Sequence, residues 1–192
     1  MWRIVNEFFV GCAVLTVLLL VKKFSFVPSG AWLFDDMVLS LIDKGHRVSV
    51  AFLDLSGEHS RSVERVTDKL TVFTYPVTAR SMPLKVLQVV LGNIWLLLKI
   101  RTFEIKRYDL LLTSSVASLF LPFLYLSKAL IKVRVRFLLL WDFFPIHHME
   151  IGKVKKGLAS RMLYGVEAHS VKSFDGVGLM SPKNIEFLGI RI

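Results

Sequence analysis

Short β-type runs alternate with longer apolar helical patterns along this chain, and the alternation limits the possible folds more than any other feature. The β-type runs are residues 24–27, 48–53, 70–75, 108–113, 133–141 and 176–180, and the helical patterns are residues 32–44, 84–101, 116–131 and 155–167. Strands and helices in this order imply parallel strands with helices packed on both faces. The sequence therefore predicts an α/β fold, a Rossmann-like parallel sheet with flanking helices.

The first 21 residues form a separate apolar segment. Residues 8–21 carry no charge and are followed directly by Lys22 and Lys23. The run is shorter than the about 20 residues of a typical membrane-spanning helix, and it lacks a small-residue cleavage site before Lys22. We expect an apolar N-terminal helix over residues 1–21 that could anchor the chain, with the two lysines on the cytoplasmic side. A signal peptide or an extension outside the domain is the alternative.

Charge and hydropathy favour a membrane surface over nucleic acid as a partner. The chain is 54% hydrophobic, and 25 basic residues outnumber 15 acidic ones, which gives a net charge of +10. Many basic residues flank apolar helices, and such clusters bind acidic lipid head groups. They include Lys22, Lys23, Lys99, Arg101, Lys106, Arg107, Lys128 and Lys132. The expected partner is therefore the inner leaflet of a membrane with acidic lipids, and no nucleic acid is expected.

The helical patterns at residues 84–101 and 116–131 are more apolar than helices that only cover a sheet need to be. Basic residues rim both of them, which is typical of helices that lie in a membrane interface. Ordinary sheet-covering helices are the alternative.

Several signatures of phosphate and metal chemistry are absent from the sequence. It contains no Gly-x4-Gly-Lys-Ser/Thr loop, no Gly-x-Ser-x-Gly elbow and no Asp-x-Asp pair. His147, His148 and Glu150 are close together, but their spacing does not suit a tetrahedral metal site. We therefore expect neither a metal nor a tightly bound cofactor. Parallel sheets bind ligands beyond the carboxyl ends of their strands, so the candidate stretches are residues 28–30, 53–57, 113–115 and 141–148.

Three stretches, in this order, resemble the N-terminal domain of a GT-B glycosyltransferase, close to the large family 4 that builds bacterial surface polysaccharides. They are residues 23–32 with the helix ending Lys44-Gly45-His46-Arg47, residues 108–114, and residues 137–145, where Trp141-Asp142-Phe143-Phe144-Pro145 is similar to an Asp-Leu-Trp-Pro segment of that family. The resemblance covers roughly residues 22–188. It implies transfer of a sugar from a nucleotide-sugar co-substrate to a lipid-linked or polysaccharide acceptor, at the cytoplasmic face of the bacterial inner membrane.

The resemblance also implies roles for four residues. Ser29 and Gly30 would lie on the side of the donor diphosphate, where glycine allows close backbone approach and the following helix offers its N–H groups. A simple tight turn is the alternative. Asp142 would position the sugar or accept a proton from the acceptor hydroxyl, with His147 at the same mouth. An aspartate that only caps the turn before Pro145 is the alternative.

In the family, the second domain carries two glutamates separated by seven residues. None of the seven glutamates in this sequence has another eight positions on. We therefore expect residues 22–192 to be an acceptor-side domain with the C-terminal donor domain missing and inactive alone. The chain would be either a truncated or frameshifted product or one partner of a split enzyme whose donor domain is a separate chain. A non-catalytic membrane-associated Rossmann module is the alternative. A small integral membrane protein with helices at residues 8–21, 84–100 and 116–131 is a third interpretation.

Overall fold

A computed structural model describes residues 14–25, 33–103, 107–141 and 157–179, together with the single positions 146, 149, 151, 152 and 155. The strands of this part of the chain are β1 Thr16–Val21, β2 Arg47–Asp54, β3 Ser62–Thr67, β4 Leu70–Pro76, β5 Arg107–Ser114, β6 Lys132–Leu140 and β7 Gly176–Leu179. The helices are α1 Leu33–Asp43, α2 Met82–Phe103, the 3₁₀ helix Ala117–Phe120, α3 Leu121–Leu130 and α4 Leu158–Val171.

The strands form one seven-stranded sheet in the order β3-β4-β2-β1-β5-β6-β7. Every neighbouring pair is parallel except β3 and β4, which are antiparallel. The α/β prediction with a Rossmann-like sheet is therefore confirmed. Because the strands are parallel, their first residues lie at one edge of the sheet, the amino edge, and their last residues lie at the other, the carboxyl edge.

The helix predicted for the N-terminal segment is wrong for its last part. Thr16–Val21 is a strand at the centre of the sheet, between β2 and β5. A continuous run of apolar residues suits a strand that is covered on both faces, and periodicity alone does not separate such a run from a helix. The run at residues 24–27, predicted as the first strand, comes after β1, and its described members Phe24 and Ser25 are not in a strand. The first part of the segment, residues 1–13, lies outside the described residues.

The side chains of β1 alternate between two cores. Leu18 and Leu20 are fully buried in the core under α2 and α3. Leu19, also fully buried, faces the opposite core, where Phe34 and Val38 of α1 pack. This alternation follows from the two-residue period of a strand. One strand thus anchors helices on both faces of the sheet.

Strand β3 was not predicted, because it lies in the polar stretch of residues 55–69. It is an edge strand with burial that is intermediate or exposed along its length, and Glu64 and Arg65 are exposed. Charged residues on an edge strand oppose pairing with other chains. The helical pattern at residues 116–131 is also divided, into the 3₁₀ helix and α3, with Pro122 in the first turn of α3.

Candidate functional site

The carboxyl edge of the sheet brings together the described members of three of the four predicted stretches, and the fourth, residues 28–30, lies outside the described residues. Asp54 ends β2, Ser115 follows β5, and Trp141 follows β6. The Ser115 hydroxyl oxygen accepts a hydrogen bond from the Trp141 backbone N–H at 3.0 Å, which joins the ends of β5 and β6. The Thr113 hydroxyl donates to the Leu20 carbonyl oxygen at 2.8 Å, which joins β5 to β1. Three adjacent strand ends therefore form one connected platform.

The four residues assigned roles from the sequence, Asp142, His147, Ser29 and Gly30, lie outside the described residues. Their roles stay predictions. What the structure describes is the position of the strands from which they follow. The strands β1 and β6 lie on either side of β5, so the chain leaves both strands at the same edge.

Asp35 in the first turn of α1 holds the chain that leaves β1. Its carboxylate accepts hydrogen bonds from the Ser25 backbone N–H at 3.1 Å and from the Ser25 hydroxyl at 2.7 Å. Asp35 is buried, so this contact does more than complement the dipole of the helix. The Phe34 ring also packs edge-on against Trp141, with 5.6 Å between ring centroids. Helix α1 is thereby tied to the ends of both β1 and β6.

The Asp54 carboxylate at this edge accepts four hydrogen bonds from the loop that follows it, and although Asp54 lies in the predicted stretch 53–57, the sequence did not reveal this role. It accepts hydrogen bonds from the Ser56 backbone N–H at 2.9 Å, the Ser56 hydroxyl at 2.6 Å, the Gly57 N–H at 3.2 Å and the His59 N–H at 2.9 Å. Its Oδ2 also lies 3.0 Å from Nδ1 of His59. Gly57 has φ +71°, and an added Cβ would lie 3.2 Å from Cγ2 of Thr78, so the turn requires glycine. The loop after β2 is organised around one carboxylate.

These contacts set the protonation state of Asp54. The carboxyl is 1% exposed, and burial alone would raise its pKa. The hydrogen bonds from Ser56 and His59 outweigh burial and lower the pKa of Asp54 from 3.8 to about 2. Asp54 is therefore a carboxylate at neutral pH. A neutral His59 that donates its Nδ1 hydrogen to Asp54 presents Nε2 as a proton acceptor on a side chain that is 40% exposed.

A strained turn follows β5 at the same edge. Val116 has φ 70° and ψ 47°, a left-handed conformation that is costly for a β-branched residue. The buried Glu167 carboxylate of α4 accepts hydrogen bonds from the Ala117 N–H at 2.9 Å and the Ser118 N–H at 3.0 Å. Because Glu167 satisfies these two N–H groups at the start of the 3₁₀ helix, they do not serve as an anion site. The carboxylate fixes the turn instead.

Hydroxyl, carboxylate and imidazole groups thus lie at the ends of neighbouring strands on this edge, and the 40% exposed imidazole of His59 is the group among them that is able to accept a proton from a ligand. Among the residues that the structure describes, no group of three or more His, Cys, Asp or Glu side chains could hold a metal ion. A pairing of Asp at the end of a strand with His five residues later was the available sequence signal for Asp54 and His59. It is a weak signal, because the loop must fold back before the two side chains meet.

Neither a family model nor a curated protein sequence matches the chain. Solved structures do. The sucrose-phosphate synthase of Thermosynechococcus elongatus matches with a TM-score of 0.60 at 12% identity, over 93% of this chain and 45% of that one. The α,α-trehalose-phosphate synthase (UDP-forming) of Burkholderia vietnamiensis matches with a TM-score of 0.55 at 14% identity, over 92% of this chain and 43% of that one. The corresponding synthase of Burkholderia multivorans has a TM-score of 0.52 at 15% identity, over 92% and 43%.

These neighbours are GT-B glycosyltransferases, and at such low identity the likeness shows the fold. The chain has the fold of a Rossmann-like domain of the GT-B type, as the resemblance implied. It spans less than half the length of the structures that it matches.

Proposed function

We propose that this chain is the acceptor-side domain of a glycosyltransferase in cell-surface polysaccharide synthesis. It would transfer a sugar from a nucleotide-sugar to a lipid-linked or polysaccharide acceptor. The observation that carries the proposal is the shared fold, which extends over 93% of the chain in its likeness to the sucrose-phosphate synthase. The printed names of such neighbours are those of sugar-transferring enzymes, one of them UDP-forming. The carboxyl edge, with its strained turn and hydrogen-bonded polar groups, supports a ligand site there.

Within this proposal, Ser29 and Gly30 face the donor diphosphate, and Asp142 and His147 act on the acceptor hydroxyl. The placement of β1 and β6 on either side of β5 supports a shared site, because the chain leaves both strands at the carboxyl edge. The donor nucleotide would be held mainly by a second domain, supplied by further sequence or by another chain. No metal or other cofactor takes part. The domain is inactive without its donor-binding partner.

The exposed face of α2 supports association of the domain with a membrane. The helix turns its polar and small residues toward the domain: Gln88 accepts a hydrogen bond from the Ala79 N–H at 2.8 Å, and Gly92 and Asn93 are buried. Its outer face is apolar instead, with exposures of 47–57% for Leu84, Leu87, Leu91 and Leu98, whose helical spacing places them on one side. A contiguous exposed apolar surface of this kind suits the boundary of a bilayer.

Within the described ranges, Met82–Phe103 is also the one helix that is long and apolar enough to cross a membrane, and 28% of an 18-residue apolar stretch of this helix is buried. It packs on the sheet through Leu96, Leu97 and Ile100, which are fully buried. That packing favours a helix that lies against the bilayer over one that crosses it. We place the domain on the cytoplasmic face of the bacterial inner membrane, with acidic lipids as its partner.

Transfer activity can be tested in membranes from source cells that lack this coding sequence. Incorporation of radiolabelled sugar from a panel of UDP- and GDP-sugars into lipid-extractable and polysaccharide products would be compared after complementation. We expect the wild-type chain to restore incorporation and Asp142→Asn to abolish it. Asp36→Asn, which replaces an exposed aspartate of α1, serves as the matched control and should restore it.

Two results would argue against this function. Full restoration by Asp142→Asn would favour the non-catalytic membrane module. Unchanged incorporation from every donor when the coding sequence is removed would contradict the transferase proposal as a whole.

A further inference from the structure

A basic groove opens at the amino edge of the sheet, on the side opposite the candidate functional site. It lies over the first residues of β6, between the C-terminal ends of α3 and α4, and has a volume of about 450 Å³. Five cationic side chains and one carboxylate belong to its lining residues: Lys128, Lys132, Arg134, Arg136, Lys172 and Asp175. Five positive charges and one negative charge give these side chains a formal net charge of +4.

The strand register explains why these charges converge. Lys132, Arg134 and Arg136 are alternate residues of β6, and alternate residues of a strand share one face of the sheet. Helix α3 ends just before β6 and brings Lys128 to the same place, while Lys172 directly follows α4. The basic groove is thus a product of the fold, with contributions from three separate elements.

Arg136 is the fixed part of the groove. It is 8% exposed, and its Nη1 and Nη2 donate to the Leu124 carbonyl oxygen at 3.0 Å and the Ser127 hydroxyl at 3.1 Å. The Asp175 carboxylate accepts a hydrogen bond from the backbone N–H of Arg136 at 2.7 Å. Among the described residues, the Arg136 guanidinium makes no ion pair within 4.0 Å. Its orientation is therefore set by neutral groups, and in the described part of the chain no bonded carboxylate balances its charge.

Burial lowers the pKa of the Arg136 guanidinium, and the nearby Asp175 carboxylate opposes that effect. Burial of a charge without a bonded counter-ion is unfavourable. An anion in the groove would relieve this cost and would also reduce the repulsion among the other four cations.

The helix dipoles explain only part of the pattern. Lys128 and Lys172 lie at the C-terminal ends of α3 and α4, where a positive charge is favourable without any ligand. Lys132 and Arg134 lie on a strand and are exposed, so this explanation does not apply to them. They face the same groove as the buried Arg136 and extend its charge toward solvent.

We propose that the basic groove binds a phosphoryl anion, a phosphate monoester or a diphosphate, carried by a lipid head group or by a free small molecule. Guanidinium groups bind phosphate oxygens through paired hydrogen bonds, and lysine adds charge without strict geometry. A volume of about 450 Å³ is in the range of small-molecule sites. Because the groove is at the amino edge, the proposal does not depend on the transferase function of the carboxyl edge.

The first test measures binding of inorganic pyrophosphate to the full 192-residue chain in non-ionic detergent, by calorimetry at constant ionic strength. The test variant is Lys132→Gln/Arg134→Gln. The matched control is Arg80→Gln/Arg161→Gln, which removes two exposed positive charges away from the groove. We expect the dissociation constant to rise about tenfold or more in the test variant and to stay within about twofold in the control.

The second test is a vesicle flotation assay that distinguishes the two sources of the anion. One set of phosphatidylcholine vesicles contains phosphatidate, and the other contains enough phosphatidylglycerol to carry the same total charge. If the groove variant no longer floats with phosphatidate vesicles while the control variant still does, the bound anion is a lipid head group. Pyrophosphate binding without groove-dependent flotation identifies a free phosphorylated molecule. Absence of groove-dependent binding in both tests, or equal losses in both double variants, would overturn the proposal. Lys128→Gln/Lys172→Gln replaces the test variant if circular dichroism shows that the latter is unfolded.

Discussion

Oδ2 of Asp54 lies 3.0 Å from Nδ1 of His59, and this contact closes the loop that follows β2. The imidazole ring also packs edge-on against Phe52, with 5.3 Å between ring centroids. Phe52 inside the sheet and the Asp54 carboxylate at its edge therefore position His59 together. The consequence is a histidine whose Nδ1 is bonded to Asp54 while its side chain stays 40% exposed.

Replacement of Asp54 by Asn should destabilise the domain in a pH-dependent way. The carboxyl has a lowered pKa in the folded state, about 2 against an ordinary 3.8. Its ionisation therefore stabilises the fold fully above pH 3.8, and this contribution is lost as the pH falls through about 2. We expect the free energy of unfolding at neutral pH to be about 2 kcal/mol higher for wild type than for Asp54→Asn, because one pKa unit corresponds to about 1.36 kcal/mol. Urea unfolding at a series of pH values measures the difference.

The control for this experiment is Glu58→Gln, which changes an exposed carboxyl in the same loop. Its free energy of unfolding should stay within about 0.5 kcal/mol of wild type. If the difference in free energy of unfolding between wild type and Asp54→Asn is the same at pH 6 and at pH 2, the assigned ionisation is wrong.

Gly92 should not tolerate a methyl group. A Cβ at this position of α2 would lie 2.6 Å from Cδ1 of Tyr75 and 2.8 Å from Cδ1 of Leu53. Gly92→Ala should therefore lower the free energy of unfolding by about 1–3 kcal/mol, as overpacking does. Gly165→Ala in α4 meets nothing within 4 Å and should raise stability by about 0.5–1 kcal/mol, because alanine is the better helix former. Opposite signs for the same substitution, measured by urea unfolding, would establish the close approach of α2 to the sheet.

An element could be predicted from the sequence only where its own residues reflect its surroundings in the fold. Strand β4 was predicted closely, because an apolar run ends at Pro76. Strand β1 was assigned to a helix, because a strand buried on both faces has no two-residue period to read. Strand β3 was missed, because its partners, not its own polar residues, make it a strand. The carboxyl edge was predictable from strand order, whereas the contact between Asp54 and His59 depends on a loop conformation that no periodicity encodes.

Glu167 should be needed for the turn after β5. Its buried carboxylate accepts hydrogen bonds from Ala117 and Ser118, so Glu167→Gln replaces one acceptor oxygen by a donor that faces a backbone N–H. We expect a loss of about 1–3 kcal/mol in the free energy of unfolding. Amide hydrogen exchange should also accelerate at residues 117 and 118 before the rest of the sheet is affected. Glu64→Gln on the exposed edge strand is the control and should change neither quantity. Unchanged exchange at residues 117 and 118 in Glu167→Gln would exclude the assigned role.

The outward-facing leucines of α2 should determine the affinity for membranes. Leu87 and Leu91 are 51% and 47% exposed, although the same helix buries Gly92 and Asn93 against the domain. Leu87→Ser/Leu91→Ser should lower the vesicle partition coefficient of the chain about tenfold or more, since the apolar area that enters the bilayer is reduced.

The control is Leu39→Ser/Val66→Ser, at two side chains that are each 41% exposed on α1 and β3, away from the outer face of α2. It should leave the partition coefficient within about twofold of wild type. Added salt screens the attraction between basic residues and acidic lipids but leaves the apolar contribution nearly intact. The loss caused by the α2 substitutions should therefore persist at high salt. Equal losses in the two variants would show that general apolarity, and not this face of α2, holds the domain at the membrane.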